Sequence, residues 1–300
     1  MKAYGFTENG GPETQTFLDL PTPQPGPSEL LITVHAAAVN PVDHKIRTGA
    51  YGAATDLPAV LGREASGVVV EAGQDVDGFA VGDEVFGTVA PGSGAFAEQA
   101  ILSSGSAAKK PVKVSFTDAA TLPVAGATAY DGIGQLGLTS GQSLLIIGVG
   151  GGVGVFAAQL ARDAGLNVIG TASESKRELV ESLDATLVVY GDGVADRIRQ
   201  ILPDGVDGTL DLIGGDALRE VAELGGRIVT ATDPTTAAEF GGEFVQRSEG
   251  PAALTALARL VEDGKLDPHV EDVLSLDEAP AALAAVETGH PRGKVVIQVK

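Results

Sequence analysis

The run Ser143-Leu-Leu-Ile-Ile-Gly-Val-Gly-Gly-Gly-Val-Gly154 opens as a buried strand and ends in a glycine turn, and its reading decides the fold. Residues 143–147 have the continuous apolar character of a strand covered on both faces of a parallel sheet. Gly148, Gly150, Gly151, Gly152 and Gly154 follow, and residues 153–164 then read as an alanine-rich helix with Phe156 and Leu160 on its buried side. At such a turn the backbone N–H groups of Gly151, Gly152 and Val153, with the positive end of the helix dipole, can meet a pyrophosphate. The alternative is a merely structural turn in a chain of 41 glycines. The spacing is G-x-x-G-x-x-G through Gly148, Gly151 and Gly154, because the last glycine of a strict G-x-G-x-x-G would fall on Val153.

Working outward, residues 167–171 read as a second strand, whose end runs into Thr171-Ala-Ser-Glu-Ser-Lys-Arg177. An NAD site places a carboxylate at this strand tip for the ribose 2′-hydroxyl, whereas a 2′-phosphate needs donors and positive charge. The tip carries no acid. Ser173, Lys176 and Arg177 suit a phosphate, provided that Glu174 turns away from them, and the expected cofactor is NADPH. For Lys176 and Arg177 the alternative is a solvated first helical turn.

Before this unit, residues 1–111 form short β-runs, at 30–36, 66–71, 84–89 and 95–101, separated by Pro and Gly clusters. After it, strands at 187–190, 208–213, 226–231 and 243–246 alternate with helices, as a doubly wound parallel sheet requires. The chain closes on strand, helix (276–287) and strand (294–299).

Composition narrows the function classes. Twenty Lys and Arg against 40 Asp and Glu give a formal net charge of −20, which argues against nucleic acid or an anionic membrane surface as partner. An anionic cofactor must then be captured by local cations. No apolar run reaches the roughly 18 residues of a membrane span, the first residues lack the build of a signal peptide, and the expected location is cytoplasmic. With no cysteine, disulfides and thiolate metal sites are impossible. The four histidines, His35, His44, His269 and His290, show no metal-ligand spacing.

Several ordered motifs add a resemblance that spans nearly the whole chain. Leu61-Gly-Arg-Glu-Ala-Ser-Gly-Val-Val-Val-Glu-Ala-Gly73 and Val81-Gly-Asp-Glu-Val-Phe86 resemble the signature of medium-chain dehydrogenases/reductases. Asn40-Pro-Val-Asp-His-Lys-Ile-Arg-Thr-Gly49, Thr121-Leu-Pro-Val-Ala-Gly-Ala-Thr-Ala-Tyr130, the glycine turn and Gly289-His-Pro-Arg-Gly-Lys294 resemble its zinc-free quinone oxidoreductase branch. The resemblance implies an α/β Rossmann-type doubly wound sheet at residues 117–264 and a GroES-like β-barrel domain from residues 1–116 and 265–300, with a cleft between them. It also implies a homodimer formed through Rossmann edge strands. Zinc-dependent relatives hold their metal with two Cys and one His; in the family comparison Asn40 stands at the first Cys and Arg63 at the His.

Without a Lewis acid, alkoxide charge is poorly stabilised, whereas a quinone or an α,β-unsaturated carbonyl spreads the incoming hydride's charge into a phenolate or enolate that hydrogen bonds can hold. The expectation is NADPH-dependent reduction of such small molecules. An enoyl-thioester or alkenal double-bond reductase shares every cofactor motif, and a non-catalytic NADPH-binding protein is the other alternative. By resemblance, Asn40 and Thr128 lie near the nicotinamide, Tyr190 joins the 2′-phosphate site, Arg292 contacts the cofactor and Tyr51 lines the substrate cleft as a candidate proton donor. Each has a structural alternative: a helix cap for Asn40, a helical Thr bonding its own turn for Thr128, a strand end for Tyr190, a solvated turn for Arg292 and a loop aromatic for Tyr51.

Overall fold

The computed structural model describes residues 1–54, 56–248, 250–289 and 293–300. In chain order, β1 (Lys2–Phe6), β2 (Gln15–Asp19), β3 (Glu29–Val39), α1 (Pro41–Arg47), β4 (Ala59–Val60), β5 (Glu64–Ala72), β6 (Glu84–Val89), β7 (Gln99–Lys109) and α2 (Phe116–Ala120) come first. A π-helical turn (Leu122–Gly126) leads into α3 (Ala127–Leu136). Then β8 (Ser143–Ile147), α4 (Gly152–Asp163), β9 (Asn167–Ala172), α5 (Arg177–Ser182), β10 (Thr186–Val189), α6 (Val194–Ile201), β11 (Gly208–Asp211), α7 (Gly215–Arg219), β12 (Arg227–Thr230), α8 (Pro234–Glu239) and β13 (Glu243–Phe244) alternate. The chain ends with α9 (Ala252–Glu262), β14 (Val270–Ser275), α10 (Ala279–Glu287) and β15 (Lys294–Gln298). Two compact units result, Met1–Ala125 with Glu249–Lys300, and Gly126–Ser248. The changeovers therefore fall later at the first crossing and earlier at the second than the 116/117 and 264/265 read from the sequence, because α2 packs on β3 and β5, and α9 on β7.

In the first unit β3 is the pivot. One edge of this strand pairs antiparallel with β5; on the other, Glu29–Thr33 pair with β7 and Ala36–Val39 with β15. Since β5 pairs with β6, β6 with β7 and β7 with β3, these four strands run in a hydrogen-bonded circuit, to which β15 and β14 add on. Phe6, Leu30, Ile32, Val34, Val85, Phe96, Leu102, Leu283 and Ile297 fill its core. The β-run expected at residues 95–101 is displaced: β7 starts at Gln99 and continues to Lys109, while Phe96 is held in the core by a backbone bond from its N–H to Leu61.

The second unit has one six-stranded sheet in the order β10-β9-β8-β11-β12-β13, with every neighbouring pair parallel. β8 is central, and its five residues are buried on both faces. Leu145 and Ile147 pack with Val194, Ile198 and Leu218 from α6 and α7, while α3 packs beside α4 and against β11 and β12. Each such fully buried aliphatic side chain contributes about 1.5–3 kcal/mol. Strand order reverses at β8, so its carboxyl end is the topological switch point where doubly wound sheets bind ligands.

Candidate active site

The glycine turn lies at that switch point. Gly148, the first residue after β8, has φ +88°, and a Cβ there would fall 2.9 Å from Ile213 Cδ1. The Gly148 N–H donates to Thr171 O and the Gly151 N–H to Gly148 O, so the turn is tied to β9 and closed on itself. Gly151 is the N-cap of α4 with extended backbone. The Gly151 N–H is thus used within the turn, while the N–H groups of Gly152 and Val153 lie in the first turn of a 12-residue helix where no helical carbonyl faces them.

The adjacent strand ends bring the phosphate candidates together. Ser173 follows β9, and its hydroxyl pairs with that of Ser175 at 2.9 Å. Lys176 reaches back across the turn, Nζ donating to Gly150 O at 2.9 Å. Tyr190, just after β10, donates its N–H to Ala172 O at the end of β9, and its side chain is exposed. Ser173, Ser175, Lys176, Gly150 and Tyr190 therefore share one corner. Ser175, one residue before Lys176, was missed because nothing in the sequence separates it from an ordinary loop serine. Arg177 differs. Glu174 does not turn away: its carboxylate accepts from Arg177 Nε at 2.6 Å and Nη2 at 2.8 Å, and Glu181 accepts from Nη1 at 3.0 Å. The Arg177 bonds hold Glu174 below the usual carboxylate range, and the two carboxylates keep the guanidinium charged while offsetting its charge.

Further along the same carboxyl edge, Ile213 is exposed beside Gly148. Buried Asp211 accepts from the N–H groups of Ile213 and Gly214 and from the Thr230 hydroxyl, which ties the ends of β11 and β12 together. Asp233, held near pKa 2 by the Thr236 hydroxyl and N–H and by the Gly215 N–H, continues that lacing. On α3, the Thr128 hydroxyl accepts from Arg247 Nη1 at 3.2 Å, and Arg247 Nε pairs with Asp131 at 3.2 Å. Arg247 lies more than a hundred residues from both partners, and no local pattern signals it.

Asn40 and Tyr51 belong to the first unit. Asn40 is buried at the N-cap position where β3 enters α1, its N–H donating to Asp43 Oδ2 at 2.8 Å and its backbone O accepting from the Asp43 N–H. Its side chain is engaged elsewhere: Nδ2 donates to Glu64 Oε1 at 2.7 Å and Oδ1 accepts from Lys294 Nζ at 2.7 Å. Lys294 also pairs with Glu64 at 3.2 Å, and both side chains are sealed from solvent. Beside them Asp43 is fully buried, and its Oδ1 has no hydrogen-bond partner. Burial pushes the Asp43 carboxyl up to about 7; the Asn40 N–H opposes the shift, Glu64 adds to it, and Lys294 and Arg63 oppose it. Tyr51 is exposed in the turn after α1. That turn is staked by Asn9, which donates to Ile46 O and Arg47 O and accepts from the Ala54 N–H. Arg292 lies outside the described residues.

Residues 26–112 match the family model described as alcohol dehydrogenase GroES-like domain, and residues 183–297 the model described as zinc-binding dehydrogenase. A 2-methylene-furan-3-one reductase of Solanum lycopersicum is 36% identical over 99% of this chain and 79% of its own length. An NADPH-dependent alkenal/one oxidoreductase of Arabidopsis thaliana, chloroplastic, is 35% identical over the same shares, 99% and 79%. The solved structure of the quinone oxidoreductase from Coxiella burnetii superposes with a TM-score of 0.91 at 33% identity, covering 100% of this chain and 99% of that one. The chain belongs to the zinc-free quinone oxidoreductase branch of the medium-chain dehydrogenases/reductases.

Within that oxidoreductase family the units take their names: the first is GroES-like and the second a Rossmann-type sheet for a pyridine nucleotide. A metal cation placed among Asn40, Glu64 and Asp43 would meet the fixed charge of Lys294, and no group of three His, Asp or Glu among the described residues is arranged to bind one. No helix among the described residues is long and apolar enough to cross a membrane.

Proposed function

We propose that this protein reduces a quinone or an activated α,β-unsaturated carbonyl with NADPH, by hydride transfer that needs no zinc. The observation that carries the reading is the corner where β8, β9 and β10 end: Ser173, Ser175 and Lys176 present hydroxyls and a cation there, and Glu174 spends its charge on Arg177. The printed names of the relatives from Solanum lycopersicum, Arabidopsis thaliana and Coxiella burnetii point to the same acceptor class.

NADPH, when bound, supplies the hydride. Gly152 and Val153 offer N–H groups to its pyrophosphate, and Ser173, Ser175, Lys176 and Tyr190 bind the 2′-phosphate. Asn40 and Thr128 flank the nicotinamide, and Gly150 and Gly151 shape the turn. Tyr51 stacks on the acceptor or holds a proton for the developing oxyanion. A rate in Tyr51→Phe close to the wild type would remove it as an essential acid. Cytoplasmic residence and a homodimer formed by edge-strand pairing of the Rossmann-type sheets complete the proposal, the latter checked by sedimentation.

A panel of a p-quinone, a short enone and an acyl-CoA analogue, each assayed with NADPH and with NADH, tests the reading. Turnover of quinone or enone with a strong preference for NADPH is expected. Equal efficiency with NADH would overturn the phosphate site, and tight NADPH binding without turnover of any conjugated acceptor would leave a binding protein.

A further inference from the structure

The cluster of Asn40, Glu64 and Lys294 holds a carboxylate and an ammonium away from water, which is an expensive way to join strands. Replacing such a pair by apolar groups of similar volume is often neutral or stabilising. What an apolar replacement cannot reproduce is orientation. The two ends of an amide are alike in shape and differ only in hydrogen-bonding sense. Lys294, a donor only, faces Asn40 Oδ1, and Glu64 Oε1 faces Nδ2, so the amide has one allowed setting. Lys294 Nζ also reaches Val39 O, the residue before Asn40, at 3.4 Å.

The second oxygen of Glu64 has a separate task. Oε2 accepts the N–H of Val124 at 2.7 Å, and Val124 lies in the π-helical turn from which the chain runs directly into α3 and Thr128. One buried carboxylate thereby sets the Asn40 amide with one oxygen and ties down the π-helical turn with the other. Single turns of π-helix recur at functional sites, where they re-aim the residues that follow.

We infer that Glu64 and Lys294 are positioning residues for the hydride-transfer step, holding the Asn40 side chain in the one setting at which it serves the nicotinamide and acceptor. This rests on the functional reading above. Neither side chain touches the reacting atoms; each acts through Asn40.

The test compares the wild type with E64Q/K294M, which removes both charges together, and with E64D, which keeps both charges and withdraws the carboxylate by one methylene. Melting temperature, NADPH affinity and the single-turnover rate of NADPH oxidation by a quinone are measured for each. The double variant is expected to melt close to the wild type and to bind NADPH as tightly, while its hydride-transfer rate falls by about tenfold to 100-fold. E64D, which keeps both charges and whose fold is checked by its melting temperature, is expected to show the same fall, and K294R, which keeps a donor on Asn40 Oδ1, to hold most of the rate. A single-turnover rate within about twofold of wild type in E64D, or a loss confined to NADPH affinity, would overturn the inference. If the wild type itself turned over no conjugated acceptor, the functional reading would fall, and positioning would be read from the Asn40 side-chain amide by NMR. Slow hydrogen exchange in the wild type and fast exchange in E64D support it; equal exchange overturns it.

Discussion

Glu174 and Lys176, with Ser175 between them just past β9, act in opposite senses. Lys176 is aimed at the glycine turn, whereas the cation next to it, Arg177, is cancelled by Glu174 and Glu181. A charge-assisted bond to a phosphate is worth about 1.5–3 kcal/mol, so Lys176→Ala should weaken NADPH binding by roughly ten- to 100-fold and NADH binding much less. Arg177→Ala should change NADPH affinity little, and Glu174→Gln, by freeing the guanidinium, should tighten it; fluorescence titration of the three variants distinguishes these parts. The absence of an acid at the strand tip was legible in the sequence. That the first acid beyond it would fold onto Arg177 was not, because helical (i, i+3) pairing depends on where the short helix begins.

Asp43 makes a second prediction at this scale. Folded, its carboxyl keeps a proton up to about pH 7; unfolded, it releases that proton near pH ~3.9. The folded chain therefore holds the extra proton between these values, and stability falls as pH rises through that window. Against D43N, which cannot ionise, the wild type should lose stability steadily from about pH 4 to about pH 7, by up to a few kcal/mol, and no further above it. Denaturant melts of both proteins across that range measure it. Parallel profiles would show that Asp43 does not titrate there.

Among the elements, β8, the turn and α4 form the part most plainly written in the sequence, because strand, glycines and helix are contiguous and their contacts are local. Gly154 shows how tight the junction is: a Cβ there would stand 2.3 Å from Val149 O and 2.5 Å from Gly148 O. Gly154→Ala should cost about 1–3 kcal/mol by forcing helix and strand apart, and should weaken NADPH binding as well; a thermal melt with and without NADPH separates the two effects. β7 is the counter-example. Its residues Gln99–Lys109 include Gly105 and three serines and lack a clean alternation, because the strand pairs with β3 over one stretch and β6 over another, and its exposed face changes between them. Local pattern found a β-run nearby and misplaced it. The Arg247–Thr128–Asp131 group and the Glu64–Lys294 pair were hidden for a related reason: their members are brought together only by the sheet order.

For the molecule as a whole, a net charge of −20 opposes the approach of an anionic cofactor, while the binding corner supplies only a local cation. Raising ionic strength from about 0.01 M to about 0.15 M shortens the screening length from about 30 Å to about 8 Å, which suppresses the distant acids more than the adjacent Lys176. The NADPH association rate should therefore rise over this range, and stopped-flow fluorescence reads it directly; a falling rate would show that local cations dominate the field. The pairing of β15 with β3 has a different consequence, in time rather than energy. Synthesis delivers β3 long before β15, so the hydrogen-bonding positions of Ala36–Val39 wait for this partner until Lys294–Gln298 has been made. Glu64 waits with them, since Lys294 arrives on that same strand. The unit Gly126–Ser248 is made well before then and is free to fold first on the ribosome, while the segment encoded before it waits for β15.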